Sequence, residues 1–499
     1  MSALNCVALA RYRFLCLIPG IAAIAGASSA RAYDLGNRWS ATQIDGGGLQ
    51  RGDPVTLRWS IVPDGVSYER SSAGKTSDLI QFLDDGWNVP AAQRTPDFTN
   101  RPWWDVIHNA YAQYARVSAV TLAYVAERTA TGGNTGMVGD IRLGGEMFGD
   151  GPGGALADNV YPDGGDMRID TTKESNGTVG FYFSSEPGLR NLVIHETGHG
   201  VGLGHTSPQN NSAKAVMEGG LRTDIWGLQF DDIYGLNRLY GDPYESNGGN
   251  DTYATAIDLG SFTTTGRAAM GLDATDTVVE QMDGDWLGID GRNDPDWFKF
   301  SVSGETFAKL QVKPIGPTYE TEELGVFNAS AQGDLVLQVY KVEPSSQQIA
   351  AVDDGVVGDA ETINSLYVAP GDYYLRVRNK LDTNQFYRVD LLLNDSLPNA
   401  GTSADINLDG DTNIDDWTQF LANSSTSFSG LSDFGAFRLG DLDLDGDNDY
   451  LDFKYFKEAF DLTNGSGSFA ALTSVPEPQA ALLGAMVLLG VMATRRRQH

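Results

Sequence analysis

"HETGHGVGLGH", residues 195–205, holds three of the five histidines in a chain of 499 residues. His195 and His199 are four apart, which on a helix puts both imidazoles on one face, about one turn from each other. "RNLVIHETGHGVG" supplies that helix, with Leu192, Val193 and Ile194 as the run that buries it. Two neutral imidazoles so placed can share one Zn²⁺. His205 lies six residues past His199, and a continuing helix would turn it about 240° away. Gly202 removes that obstacle. Without a Cβ it takes positive φ and ends the helix, and the chain doubles back so that His205 completes a three-histidine zinc site with a fourth position open to water. Glu196 follows the first ligand, where the general base of metal-assisted hydrolysis is expected, and a purely structural site has no need of that carboxylate.

Outward from this helix, residues 33 to about 243 carry a mixed α/β pattern. In "RPWWDVIHNAYAQYARVS", Trp103, Val106, Ile107, Ala110, Tyr111 and Tyr114 recur every three or four residues, the mark of one buried helix face, and His108 falls off that stripe. "PVTLRWSIV", "VTLAYVAE" and "GDIRLGG" read as strands. "DPYESNGGNDT" at 242–252 reads as a polar linker. After it the apolar period changes to two: Phe298, Phe300 and Val302; Leu335, Leu337 and Val339; Tyr373, Leu375 and Val377; Tyr387, Val389 and Leu391. With turn residues between the runs and no helical pattern, that predicts an all-β sandwich.

Between 403 and 462 the chain repeats itself. "DINLDGDTNIDDWTQF" and "DLDLDGDNDYLDFKYF" begin at Asp405 and Asp441, 36 residues apart, and Ile414, Trp417 and Phe420 map onto Tyr450, Phe453 and Phe456. Each unit has the oxygen spacing of a calcium loop, with a glycine at the sixth position and a carboxylate at the twelfth. The first offers Asp405, Asn407, Asp409, Asp411 and Asp416 around Gly410; the second offers Asp441, Asp443, Asp445, Asp447 and Asp452 around Gly446. Two Ca²⁺ are expected, in a small α-helical pair packed face to face.

The charge balance of 35 basic against 66 acidic residues, a net −31, argues against nucleic acid as a partner. Arg11 and Arg13 precede an apolar run that ends in "ARA" at 30–32, the form of a secretory signal cut near Ala32. Both cysteines, Cys6 and Cys16, lie inside it, so the exported chain has no disulfide and metal ions are the obvious substitute. At the other end an apolar run from Ala480 to Ala493 precedes Arg495, Arg496 and Arg497, the only segment that engages a membrane in this reading.

Four family resemblances attach to these residues. HExxHxxGxxH at 195–205 is the metzincin signature, and its surroundings resemble the matrixin branch: "FGDGPGGALADNVYP", "GGDMRID", "AVMEGG" and "DDIYGLNRLYG". This resemblance implies a zinc metalloendopeptidase acting on protein or peptide substrates, with Met217 as the Met-turn residue beneath the ligands. It also implies a calcium site using Asp150, Gly151, Gly153 and Asp170, with Asp163, Asp166 and Glu174 as alternatives. Matrixins bind a second zinc through histidines near these loops. Here Asp158 and Arg168 stand at two such positions, so that zinc is expected to be absent, and without a cysteine in the exported chain no thiolate can hold it latent. The segment from His205 to Met217 is longer than in the family, and Glu218 replaces its proline. "NDTYATAIDLG", "NDPDWFKFSV" and "APGDYYLRVRN" resemble the bacterial pre-peptidase C-terminal domain, which accompanies secreted peptidases and has no catalytic residues of its own. Tandem loops with Asp at the twelfth position resemble a dockerin, implying a cohesin-like partner, with calcium-clamped structural units as the alternative. Pro-Glu-Pro at 476–478 with the apolar run and terminal arginines resembles the PEP-CTERM sorting signal, implying an exosortase-type partner and a protein secreted or attached to the cell envelope.

The expected organisation is a signal peptide (1–32), an α/β metzincin catalytic domain with a twisted mixed sheet and active-site helix (33–243), a linker (244–250), the β-sandwich (251–395), a linker (396–402), the calcium-loop pair (403–462), a linker (463–474) and the sorting segment (475–499). The competing function is a non-catalytic surface adhesin or scaffold component that retains a metal site. Glu196, which a binding module is free to lose, separates the two.

Overall fold

The computed structural model describes residues 35–473, apart from 128–138, 148–153, 207–212, 322–324, 342–346, 395–403, 408–410, 430, 432–435 and 443–445. The two terminal signals, and Asp150, Gly151, Gly153, Asp409, Asp443 and Asp445, lie outside the described residues.

Val55–Ile61 is an inner strand of the first sheet, and its Leu57, Trp59 and Ile61 are buried. The strand order is Val120–Tyr124, Val55–Ile61, Ile141–Glu146, Met167–Asp170, Ala157–Asn159. All neighbours are parallel except the last pair, so the sheet is mixed and Ala157–Asn159 is an antiparallel edge. Helix Pro102–Val117 buries every residue of its expected stripe and leaves His108 exposed. Trp59 stacks between Trp104 and Tyr111 of that helix, at 5.4 and 4.3 Å. The Tyr114 hydroxyl donates to the Ile194 carbonyl at 2.6 Å, which fixes the next helix, Glu186–Gly200, against it.

The sandwich has two five-stranded sheets. One runs Gly288–Ile289, Gln385–Asn394, Thr306–Pro314, Glu361–Val368, with Gly266–Met270 also paired to Gln385–Asn394; the other runs Gln347–Val352, Leu335–Lys341, Gly371–Asn379, Asp296–Val302, Ile257–Phe262. All twelve residues expected to face inward are buried, because period-two alternation leaves them no other face.

The two units are joined by more than a linker. Helix Phe230–Tyr240 is buried at every position. Its Phe230 and Tyr234 meet Phe386 of the sandwich at 5.7 and 5.6 Å, and Tyr234 meets Phe327 at 5.6 Å. Phe327 belongs to a small hairpin, Thr318–Thr321 with Gly325–Asn328, that leaves the sandwich and docks on this helix. The stretch read as a polar linker is correspondingly buried at Asp242, Glu245 and Asn250, since its polar groups face the carboxylates and backbone of the seam instead of solvent.

In the C-terminal part, helices Ile414–Ala422 and Tyr450–Asn464 pack through Phe420 on Phe456 at 5.1 Å and Trp417 on Phe453 at 6.0 Å. Ile414 and Tyr450, the first member of each apolar triplet, are exposed, because both are the first helical residue and sit at the loop edge of the pair. Among the described residues no helix is long and apolar enough to cross a membrane.

Candidate metal centre

Helix Glu186–Gly200 starts where Ser185 caps it, its hydroxyl accepting from the Gly188 N–H at 3.3 Å. It ends by the mechanism expected of Gly202. That residue has φ of +99°, the Gly202 N–H donates to His199 O at 3.0 Å, and the Leu203 N–H donates to Gly198 O at 2.8 Å. These are the paired bonds of a Schellman termination. A Cβ on Gly202 would stand 2.1 Å from the Asn37 carbonyl oxygen, so only glycine fits.

The turn brings His205 back to the helix. Its Nε2 lies 3.2 Å from Nε2 of His199 and 3.2 Å from Nε2 of His195. The other ring nitrogens are committed: His195 Nδ1 donates to Val216 O at 2.7 Å and His199 Nδ1 to Leu203 O at 2.8 Å. Both imidazoles therefore present an Nε2 lone pair to the same point, each oriented by a backbone carbonyl. Tetrahedral ligands at the usual Zn–N length stand about 3.3 Å apart, so this donor set fits zinc. Burial holds the His195 imidazole down at about 4 and lowers His199 as well, which favours the neutral form that a metal ligand needs.

Glu196 is buried on the same helix and lines the same cleft, of about 500 Å³. Burial first, and the nearby Asp158 carboxylate second, raise its acid to about 8 in the metal-free chain. Met217 packs against the helix between the two helical histidines: a Cβ on Gly198 would stand 2.3 Å from its sulfur. The turn carrying Met217 is held by Asp232, whose carboxylate accepts from the N–H groups of Val216 (2.8 Å), Met217 (3.1 Å) and Gln229 (2.9 Å). Sequence reasoning missed Asp232, and also Asn159, whose amide donates to Glu196 O at 2.7 Å. The two adjacent acids opening helix Phe230–Tyr240 were the available signal, since the start of a helix favours carboxylates.

Around Asp158 and Arg168, charged side chains pair with one another. Arg168 pairs with Asp158 and, at 3.0 Å, with Glu146, while Arg70 reaches Asp158 at 2.9 Å. Glu218 pairs with Arg222 at 3.1 Å.

Of the residues suggested for calcium in this unit, Asp170 accepts from Thr172 N at 3.0 Å and Asp163 from Ser40 N at 3.0 Å. The close donor groups found among the described residues include neither of these, nor Asp166 or Glu174. In the repeat, by contrast, equivalent residues make equivalent bonds. Asp416 accepts from Ile406 N at 2.9 Å and Asn413 N at 2.9 Å; Asp452 accepts from Leu442 N at 2.6 Å and Asp449 N at 2.7 Å. Gly446 takes φ of +97°, and its N–H donates to Asp441 at 3.0 Å. Asp447, Asp449 and Asp452 bring carboxylate oxygens within 4.8 Å of one another.

A third group, Glu245, Asp251 and Asp294, also lies within 4.8 Å. Next to it Glu245 Oε1, Asp296 Oδ1 and both side-chain polar atoms of Asn250 are buried without a hydrogen-bond partner. Burial, then neighbouring carboxylates, pushes Glu245, Asp294 and Asp296 above the ordinary carboxylate range. Such a donor set suits a hard cation. The acids of "ESNGGND" and "NDPDW" were its signal, hidden by the glycine and asparagine that suggested a linker.

With this geometry in place, comparison with known proteins is informative. Residues 87–241 match the family model Peptidase_M10, Matrixin. "Metalloendoproteinase 1" of Glycine max is 28% identical over 194 residues, covering 36% of this chain and 62% of the relative. "Matrix metalloproteinase-25" of Homo sapiens is 35% identical over 97 residues, covering 18% of this chain and 17% of the relative. The chain therefore spans less than two thirds of either relative. Among solved structures, the pre-Peptidase C-terminal Domain of Collagenase from Bacillus anthracis aligns at 14% identity and TM-score 0.16, covering 27% of this chain and 93% of that one. The segment similar to the matrixins, residues 87–241, contains His195, Glu196, His199, His205 and Met217.

Proposed function

We propose that this chain is a zinc-dependent endopeptidase that hydrolyses peptide bonds in protein substrates. The observation that carries the reading is the convergence of three Nε2 atoms beside a buried Glu196 in an open cleft. Zinc held by His195, His199 and His205 would supply Lewis acidity, acidifying water and polarising a carbonyl. Glu196 takes a proton from the attacking water and passes it to the leaving amine. The edge strand Ala157–Asn159 lines the cleft and offers backbone groups to an extended substrate, with Leu192 and Leu221 as apolar wall.

One zinc serves the chain in this reading. The ion pairs of Arg168 and Arg70 with Asp158 and Glu146 support it, because cations already neutralise those carboxylates. The repeat holds two Ca²⁺, a role supported by the matched bonds of Asp416 and Asp452. Calcium-clamped folding of the helical pair and capture of a cohesin-like partner both build on those loops. Export, and sorting by an exosortase-type machinery, rest on the terminal sequences.

Casein hydrolysis with and without a zinc chelator, alongside Glu196→Ala, tests the function. Activity that the chelator and the substitution each abolish supports it. Zinc-loaded wild-type protein that cleaves nothing favours the adhesin or scaffold reading instead.

A further inference from the structure

Thr206, the residue after the third histidine, is tied to the sandwich through one buried carboxylate. The Thr206 hydroxyl donates to Asp231 Oδ2 at 2.9 Å, and the Tyr319 hydroxyl donates to Asp231 Oδ1 at 2.6 Å. Asp231 is 2% exposed and Tyr319 is 3% exposed. Tyr319 comes from the hairpin Thr318–Thr321/Gly325–Asn328, and its ring meets Phe230 at 6.0 Å and Phe327 at 5.5 Å, both in T-shaped contacts. The Thr206 backbone is held as well, its N–H donating to Met217 O at 3.0 Å.

From this we infer that the β-sandwich is a working part of the metal centre, with Tyr319 as a positioning residue for His205. The inference rests on the zinc reading of His195, His199 and His205. His195 and His199 are set by a rigid buried helix, whereas His205 is exposed and follows the turn at Gly202. Its place depends on what anchors the chain just beyond it. Asp231 is that anchor for the side chain of Thr206, and a buried carboxylate keeps its position only while its oxygens are bonded. Tyr319 supplies one of those bonds from outside the segment that matches the matrixin model, residues 87–241. Helix Phe230–Tyr240, buried on all sides, transmits the contact without a gap.

The test uses the full chain in three variants. Tyr319→Phe keeps the ring and removes its hydroxyl; Thr206→Val breaks the same path from the other end; Val326→Ala, on the 66% exposed outer side of the hairpin, is the control. Zinc release to a chelator is timed, and the visible spectrum of the cobalt-substituted protein reports ligand geometry. Tyr319→Phe and Thr206→Val should each release zinc about tenfold faster and alter the cobalt bands, the loss of a charge-assisted hydrogen bond, while Val326→Ala behaves as wild type. Folded Tyr319→Phe and Thr206→Val proteins that release zinc at the wild-type rate overturn the proposal. If Tyr319→Phe does not fold, Thr206→Val decides by the same criterion. Wild-type protein that binds no zinc defeats the zinc reading itself, a different outcome from either.

Discussion

Replacing Gly202 with alanine probes the feature on which the whole site turns. The residue sits at φ of +99°, where an L side chain costs about 1–2 kcal/mol. The new Cβ would also meet the Asn37 carbonyl oxygen at 2.1 Å, and that atom belongs to backbone that cannot rotate away. Pushing it off forces a shift comparable to overpacking, about 1–3 kcal/mol. The shift also strains the bond from Gly36 N to Gly202 O, now 2.7 Å, with a net worth of about 1 kcal/mol. Together Gly202→Ala should cost about 3–6 kcal/mol, a large share of the usual stability of a fold. The damage should extend to the proposed zinc site, because Leu203 O orients His199 at 2.8 Å. Urea unfolding followed by tryptophan fluorescence is the assay, and Trp39, whose ring N–H donates to Gly200 O at 2.8 Å, reports locally. Gly220→Ala is the control: no atom lies within 4 Å of that Cβ, and about 0.5 kcal/mol or less is expected. A Gly202→Ala protein within about 1 kcal/mol of wild type, with one zinc bound as tightly, would refute this reasoning.

Three further outcomes are expected. Glu196→Gln should bind zinc as wild type yet lower kcat by about 10²–10⁴; an active Glu196→Gln would place the base elsewhere. Arg168→Met should destabilise the N-terminal unit by about 2–3 kcal/mol, below the full cost of an unpaired buried charge because Ser72 N–H, 3.1 Å from Glu146, still bonds it; no change in the urea midpoint would remove the ion pairs from the account. Chelator-treated protein should melt at a lower temperature at pH 8 than at pH 5. The sign follows from Glu245, Asp294 and Asp296, whose acids are raised in the fold, Glu245 to about 10: the native state holds more protons than the unfolded one, so stability is full below the ordinary carboxylate range and falls as pH rises from there toward the raised folded values, a span that includes pH 5 to 8. Added Ca²⁺ should restore the pH 8 melting temperature, and Asp296→Asn should flatten the pH dependence; a melting temperature that rises with pH contradicts this.

How much of this was legible before any coordinates depended on the range over which each signal acts. The turn at Gly202 could be read because its cause is local: a helical spacing, then a histidine on the wrong face, then the only residue that can reverse the chain. The sandwich strands could be read because period two is written into each strand by itself. The helix Leu79–Gly86 was passed over, since half of its residues are buried and its flanks carry no strong cap. The seam between the units was misread for a deeper reason. "DPYESNGGNDT" has a linker's composition, yet Asn250 meets the segment of Asp296 and Trp297, more than 40 residues on, only after the sandwich has folded, its carbonyl accepting from Trp297 N at 2.8 Å. Tyr319 and Asp231, 88 residues apart, are the same case. Nothing near a tyrosine in a short hairpin says that its hydroxyl will end on the carboxylate that also bonds Thr206, the residue after His205.

The central claim is most directly tested by returning zinc to chelator-stripped protein in small steps, with calcium present throughout, while peptide hydrolysis is followed. Activity should rise from nothing in proportion to added zinc and level off at one equivalent per chain. A plateau at two equivalents, or full zinc loading without hydrolysis, would contradict a single-zinc peptidase built on His195, Glu196, His199 and His205.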